Sequence, residues 1–399
     1  MPIKANKVLS IAAAMGTLLL PVVHAESGLD VSGSLAIALL KYNAVDTAAS
    51  GTNSTAVDYI APDTAWEGTV SFNGYSDVLT PIGPVKVEAV MDLSSTIAQR
   101  QLSFTEVYIK MTSPNYGSLT VGMDEGVADH VHEVDHPVLG PGSWLLPTPA
   151  SGEIHADDGA GRNYLPLTTA NDSLISSDDS SVIKYMSPKF NGFHAGVSHT
   201  KCDTTIALNN MLQAGHTKDS YDVTNACGGS KNINEFMLGY EKSIEGADVK
   251  FNVAMTSATG FGASGTDEYL DTNSFNAGLK VGYKQAHLGL GMGSIEGAKK
   301  AGSVSGSQVK TKVGNASLRY DLTDTLSVGG AFYSISSDEI FVANSNNYSP
   351  KTTGYEFALS KALSKDFIVG AVHQRTSFES KVVKTLSNDA TFVYLGMSF

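Results

Sequence analysis

The chain closes on DATFVYLGMSF, residues 389–399. Val393, Leu395, Met397 and Phe399 alternate there with Phe392, Tyr394, Gly396 and Ser398, the period of two that sends successive side chains to opposite faces of a strand. A terminal segment frays unless something holds it, so a final strand this apolar on one face must be paired. A closed barrel supplies a neighbour on each side.

The same alternation recurs along the chain. In GLDVSGSLAIALL (28–40), Leu29, Val31, Gly33, Leu35, Ile37 and Leu39 form one face, and Asp30, Ser32, Ser34, Ala36 and Ala38 the other. In VKVEAVMDL (85–93) the apolar set opposes Lys86, Glu88 and Asp92; in EVYIKM (106–111), Val107, Ile109 and Met111 oppose Glu106, Tyr108 and Lys110. Similar segments begin near 65, 118, 180, 193, 235, 248, 273, 287, 310, 325, 353, 366 and 388, which predicts about sixteen strands. An even count is what a bacterial single-chain barrel requires.

Connection lengths give a second signal. Short links rich in Gly, Asn, Asp and Pro stand at 113–118, 187–192, 243–247, 323–325 and 364–366, each suited to a tight turn. Long links lie between them, at 41–63, 124–179, 202–234, 258–272, 296–309 and 337–352. Short turns on one side and long loops on the other is the asymmetry of an outer-membrane barrel. With no shift in composition that would mark a linker, the reading is all-β, one domain, a transmembrane antiparallel barrel.

The opening segment agrees. Lys4 and Lys7 precede an apolar run from Val8 to Val23, and Val-His-Ala precedes Glu26, the layout of a secretory signal peptide over residues 1–25. The mature chain would be 26–399, with a formal charge of −13 less the +2 of the two lysines, or −15. Beyond that segment no apolar run approaches the roughly 18–20 residues of a spanning helix. The mean hydropathy of −0.04 suits a barrel whose lipid-facing and lumen-facing residues average out.

SVIKYMSPKFNGFHAGVSHT (181–200) resembles the strand, turn and strand that follow the constriction loop of the Gram-negative general porins, and YGSLTVGMDEG (116–126) the strand that leads into it. The Phe399 terminus resembles their assembly signal, read by the barrel-assembly machinery. The resemblance implies a sixteen-stranded, homotrimeric, water-filled channel for small hydrophilic solutes in the outer membrane of a Gram-negative bacterium, in contact with outer-membrane lipid and lipopolysaccharide.

The link at 124–179 is longer than that family leads one to expect, and a structureless loop of this size is normally functional. It holds eleven acids, Asp124, Glu125, Asp129, Glu133, Asp135, Glu153, Asp157, Asp158, Asp172, Asp178 and Asp179, against Arg162 alone. In the family this loop folds into the barrel, so the resemblance implies a negative eyelet. The alternative is a solvated outer loop facing water or lipopolysaccharide. The family places bases on the wall opposite. Lys86, Lys110 and Arg319 share the inward phase, with Arg100 near a strand end, but Glu67, Glu88, Asp92 and Glu106 share that wall and spoil a clean positive ladder.

Within the loop, DHVHEVDH (129–136) sets His130, His132 and His136 beside Glu133 and Asp135. Imidazole with carboxylate is a divalent-metal donor set; equally, the histidines could titrate near pH 6–7 with no metal bound. Cys202 and Cys227, 25 positions apart, suit a disulfide in an oxidising compartment.

Enzymatic readings lack their parts. There is no G-x-S-x-G elbow, no phosphate-cradling loop and no Cys-x-x-Cys pair, and the acidity argues against nucleic acid. The sequence therefore implies no enzyme and no cofactor beyond a candidate divalent cation at the loop. Three readings remain: a general, cation-preferring porin; a substrate- or metal-selective channel using the long loop; and a plugged structural or adhesin barrel.

Overall fold

A computed structural model describes residues 24–46, 63–81, 83–96, 103–131, 180–201, 230–260, 267–301, 304–337, 351–379 and 386–399. Alternating segments become strands because only strands give both faces of such a sequence a place. They are β1 (His24–Asp46), β2 (Asp63–Thr80), β3 (Gly83–Thr96), β4 (Ser103–Ser113), β5 (Gly117–Asp124), β6 (Ser180–Met186), β7 (Phe193–Lys201) and β8 (Ser230–Ile244). They continue as β9 (Ala247–Gly260), β10 (Asp267–Tyr283), β11 (Ala286–Ala301), β12 (Val304–Asp321), β13 (Leu326–Ser337), β14 (Lys351–Ala362), β15 (Phe367–Glu379) and β16 (Leu386–Ser398). Each pairs antiparallel with its sequence neighbours, and β16 returns to β1, closing a sixteen-stranded barrel. Closure removes every open edge, which a hydrocarbon surround demands.

The alternation now has directions. On β8, Phe236 and Leu238 are 48% and 44% exposed, whereas Ile233, Glu235 and Met237 between and beside them are buried. Leu35, Ile37, Val107, Ile109, Leu318, Phe357 and Val393 belong to the same exposed apolar surface, the face a bilayer covers.

The ends are joined by backbone hydrogen bonds. Gly33 N–H donates to Phe399 O and Phe399 N–H to Gly33 O, both at 3.0 Å. A Cβ at Gly33 would stand 2.6 Å from Phe399 Cζ and from Thr69 O, so glycine is what lets the terminal ring lie against β1. This is why the chain can finish on a strand.

All five expected tight turns are present. Asn191–Gly192 and Glu245–Gly246 adopt positive φ, 50° and 94°, then 50° and 82°, as a twisted two-residue hairpin turn requires. Some expected long links are shorter than the apolar pattern suggested. β11 and β12 remain paired as far as Ala301 and Val304, inside the stretch read as a loop from 296 to 309. Lys299, Lys300 and Ser307 show no apolar alternation there, but backbone pairing continues without one. β1 begins at His24, two residues before the expected mature start at Glu26.

Candidate constriction site

β5, β6 and β7 are the shortest described strands, at 8, 7 and 9 residues, and the chain leaves the wall where β5 ends. Val127 and Ala128 are completely buried and pack with Met237 and Ala254, with Met186 alongside. Met237 and Ala254 point away from the exposed Phe236, Leu238, Phe251 and Met255, so the start of the loop lies on the inner face of the barrel. Covering a valine this fully contributes about 2 kcal/mol. Asp129–Val131 then forms a single 3₁₀ turn, with Asp129 N–H donating to Gly126 O at 3.3 Å.

Polar groups from three adjacent strands hold the turn. Val127 N–H donates to Ser198 Oγ at 3.0 Å, Ala128 N–H to Glu235 Oε2 at 3.0 Å, and Asn252 Nδ2 to His130 O at 2.8 Å. Ser198 Oγ also donates to Glu235 Oε2 at 2.7 Å. These backbone groups would otherwise be buried without partners, which costs more than a typical hydrogen bond returns.

A row of acids adjoins the turn. Asp92 and Glu106 face each other in the β3–β4 register, and their carboxyl groups are hydrogen-bonded and within electrostatic reach of Asp124 and Glu125. Ser71 donates to Asp92. Glu125 is hydrogen-bonded to Asp129, and burial first, then that bond and the neighbouring charges, push its carboxyl up to about 9. Asp124 is different: Lys184 Nζ lies 2.6 Å from its Oδ2, with both side chains under 10% exposed, so its charge is compensated.

The expected basic residues do not form a ladder. Lys86 and Lys110 face inward on the acidic wall itself, and Lys86 lies 2.7 Å from Glu88. Arg319 lies on β12, eight strands from β4 in either direction around the ring and therefore across the lumen. It pairs with Asp321 at 3.1 Å, beside His287, which lies 2.9 Å from the same carboxylate. Lys250 pairs with Glu241 at 3.0 Å. The structure thus brings Asp124, Glu125 and Asp129 together at the end of β5. Beside them stand Asp92 and Glu106, placed on the wall by their phase, and Lys184, Ser198, Glu235 and Asn252, which the sequence reading missed because their neighbours depend on strand register.

Arg100, His132, Glu133, Asp135, His136, Cys202 and Cys227 lie outside the described residues. Among the described residues no group of three or more His, Cys, Asp or Glu side chains is arranged to hold a metal ion.

A sequence profile described as Gram-negative porin matches residues 11–380. The chain belongs to that family. This porin is accordingly an outer-membrane β-barrel channel. No curated relative matches its sequence. Among solved structures it is similar to the anion-selective porin from Comamonas acidovorans, at 13% identity, a TM-score of 0.59, and coverage of 94% of this chain and 100% of that one. It is also similar to OmpT, an outer membrane protein of Vibrio cholerae, at 10% identity, a TM-score of 0.56, and coverage of 95% and 100%. The outer membrane channel DcaP of Acinetobacter baumannii is a third, at 12% identity, a TM-score of 0.53, and coverage of 94% and 98%. At these identities the likeness is one of fold.

Proposed function

We propose that this porin forms a water-filled, cation-preferring channel for passive diffusion of small hydrophilic solutes and ions, narrowed by the loop that follows β5. One observation carries the reading: Val127 and Ala128 are seated on the inner wall, beside Asp92, Glu106 and Asp129, with Lys184 occupied by Asp124. Charges on a narrow, low-dielectric wall focus the field on a passing ion, and the Debye length of about 8 Å at physiological ionic strength is comparable to a pore radius. Cations would be enriched and anions depleted, less so at high salt.

The Comamonas relative is anion-selective by name, so the barrel fold does not itself set the sign of selectivity. Local charge must do so, and here it is acidic. His130, His132 and His136, with Glu133 and Asp135, are the candidate donors for a divalent cation. Homotrimerisation is part of the proposal and is supported by the trimer form of the Vibrio OmpT. So are removal of residues 1–25, recognition of Phe399 by the assembly machinery, and contact with lipid and lipopolysaccharide. A Cys202–Cys227 bridge would be revealed by thiol labelling of the denatured, non-reduced protein: the bridge predicts none, and labelling of both cysteines rules it out.

Liposome swelling tests the channel. Influx that declines smoothly with sugar size supports a general porin, strong preference for one solute supports a selective channel, and no swelling above empty liposomes indicates a plugged barrel.

A further inference from the structure

We infer that Ser198, Glu235 and Asn252 are the positioning residues that set the width of the pore, by clamping the first turn of the loop to the inner wall. The inference rests on the channel reading above and concerns how its aperture is fixed. The clamp grips backbone. Glu235 Oε2, on a side chain with only 4% of its residue exposed, accepts from both Ala128 N–H and Ser198 Oγ–H, while Ser198 Oγ accepts from Val127 N–H. One carboxylate therefore holds two successive peptide groups, directly and through a hydroxyl. Asn252 holds a third residue, through His130 O.

The three come from successive strands, two directly paired and the third four residues along from Thr256, the β9 partner of Glu235. Ser198 pairs with Glu235 across β7–β8, and Asn252 pairs with Gly239 across β8–β9. No rearrangement of one side chain can satisfy all three contacts with the loop turn displaced. The seat beneath is shaped as well. A Cβ on Gly196 would stand 2.9 Å from Val127 Cγ1 and would collide with Met186 Sδ, so glycine leaves room for the valine. Buried polar groups that are fully paired specify one geometry, and half-paired ones are costly. The turn is thus either seated or released, and a released loop no longer narrows the lumen at one fixed place.

The test uses the full refolded barrel in planar bilayers and in liposomes. Wild type that does not conduct would defeat the channel reading itself. Given a conducting wild type, Glu235→Ala and, independently, Gly196→Val should shift the swelling cut-off to larger sugars and raise open-channel noise. Glu235→Gln, which keeps an acceptor for Ala128 N–H, should restore most of the wild-type cut-off. Unchanged cut-off and noise in Glu235→Ala overturn the inference. If Glu235→Ala fails to fold, Ala128→Cys with Met237→Cys, in a Cys202→Ser, Cys227→Ser background, decides it. A crosslink that leaves conductance at the wild-type level supports the seated turn as the conducting state. No crosslink, or a crosslink that abolishes conductance, overturns it.

Discussion

Asp124 Oδ2 and Lys184 Nζ stand 2.6 Å apart, both nearly excluded from solvent, at the point where β5 ends and the loop turns into the lumen. Their strands are paired, with Asp124 opposite Ser180 and Lys184 opposite Thr120. The bridge therefore crosses diagonally over the inner face and ties the root of the loop to β6. Removing one partner of a buried pair leaves an uncompensated charge and costs about 3–5 kcal/mol, whereas replacing both is often nearly neutral. Lys184→Met should lower the urea midpoint of the refolded barrel strongly, and Asp124→Asn with Lys184→Met should recover most of the loss. A double variant no better than the single would show that the lysine matters for something other than this carboxylate.

Deleting Phe399 removes both hydrogen bonds that join the chain's end to Gly33, together with the ring that Gly33 accommodates. The expected outcome is a lower yield of heat-modifiable barrel in the outer membrane. Gly33→Val should act in the same direction, because its side chain would meet both the ring and Thr69 O. Full yield from the deletion would separate barrel closure from the terminal residue.

Glu125 predicts an alkaline effect. Its native pKa of about 9 lies above the unfolded carboxylate value of about 4.3, so the native state holds a proton that the unfolded state releases between those limits. Stability from this source is fully present below about pH 4 and is lost as pH rises through about 9. Over the same rise the pore gains a negative charge. Wild type should therefore become more cation-preferring between pH 7 and 10 than Glu125→Gln does, and the two should match near pH 7. Paired reversal-potential series check this; a large difference at pH 7 would mean that Glu125 is already ionised there.

The barrel was legible because alternation, turn residues and the length pattern of the connections all follow from chain geometry. The tight turns at 187–192 and 243–247 could be read from Asn191–Gly192 and Glu245–Gly246 alone. Strand ends were less legible: the β11–β12 pairing out to Ala301 and Val304 carries no apolar signature, since polar chain above the membrane pairs as readily. At the constriction, acidic side chains could be counted but not weighted. Asp124 and Asp129 look alike in sequence, and only strand register shows that Lys184 stands beside Asp124, whereas Asp129 is hydrogen-bonded to Glu125. Ser198, Glu235 and Asn252 lie 37 and 17 positions apart along the chain, and the pairing of β7 with β8 and of β8 with β9 brings them to one patch of the inner wall. Arg319 shared an inward phase with Lys86 and Lys110, and phase alone could not tell that it stands across the lumen.

The central claim is a passive channel with an acidic constriction, and the reversal potential of single channels in a KCl gradient tests it most directly. Two baths at different KCl concentrations, with wild type and with Asp92→Asn, Glu106→Gln and Asp129→Asn combined, give permeability ratios on one scale. The account predicts steady ohmic current with potassium favoured over chloride in wild type, a preference that shrinks as total salt is raised, and a ratio near unity in the triple variant. A ratio favouring chloride in wild type, or a potassium preference untouched by the three substitutions, would contradict it.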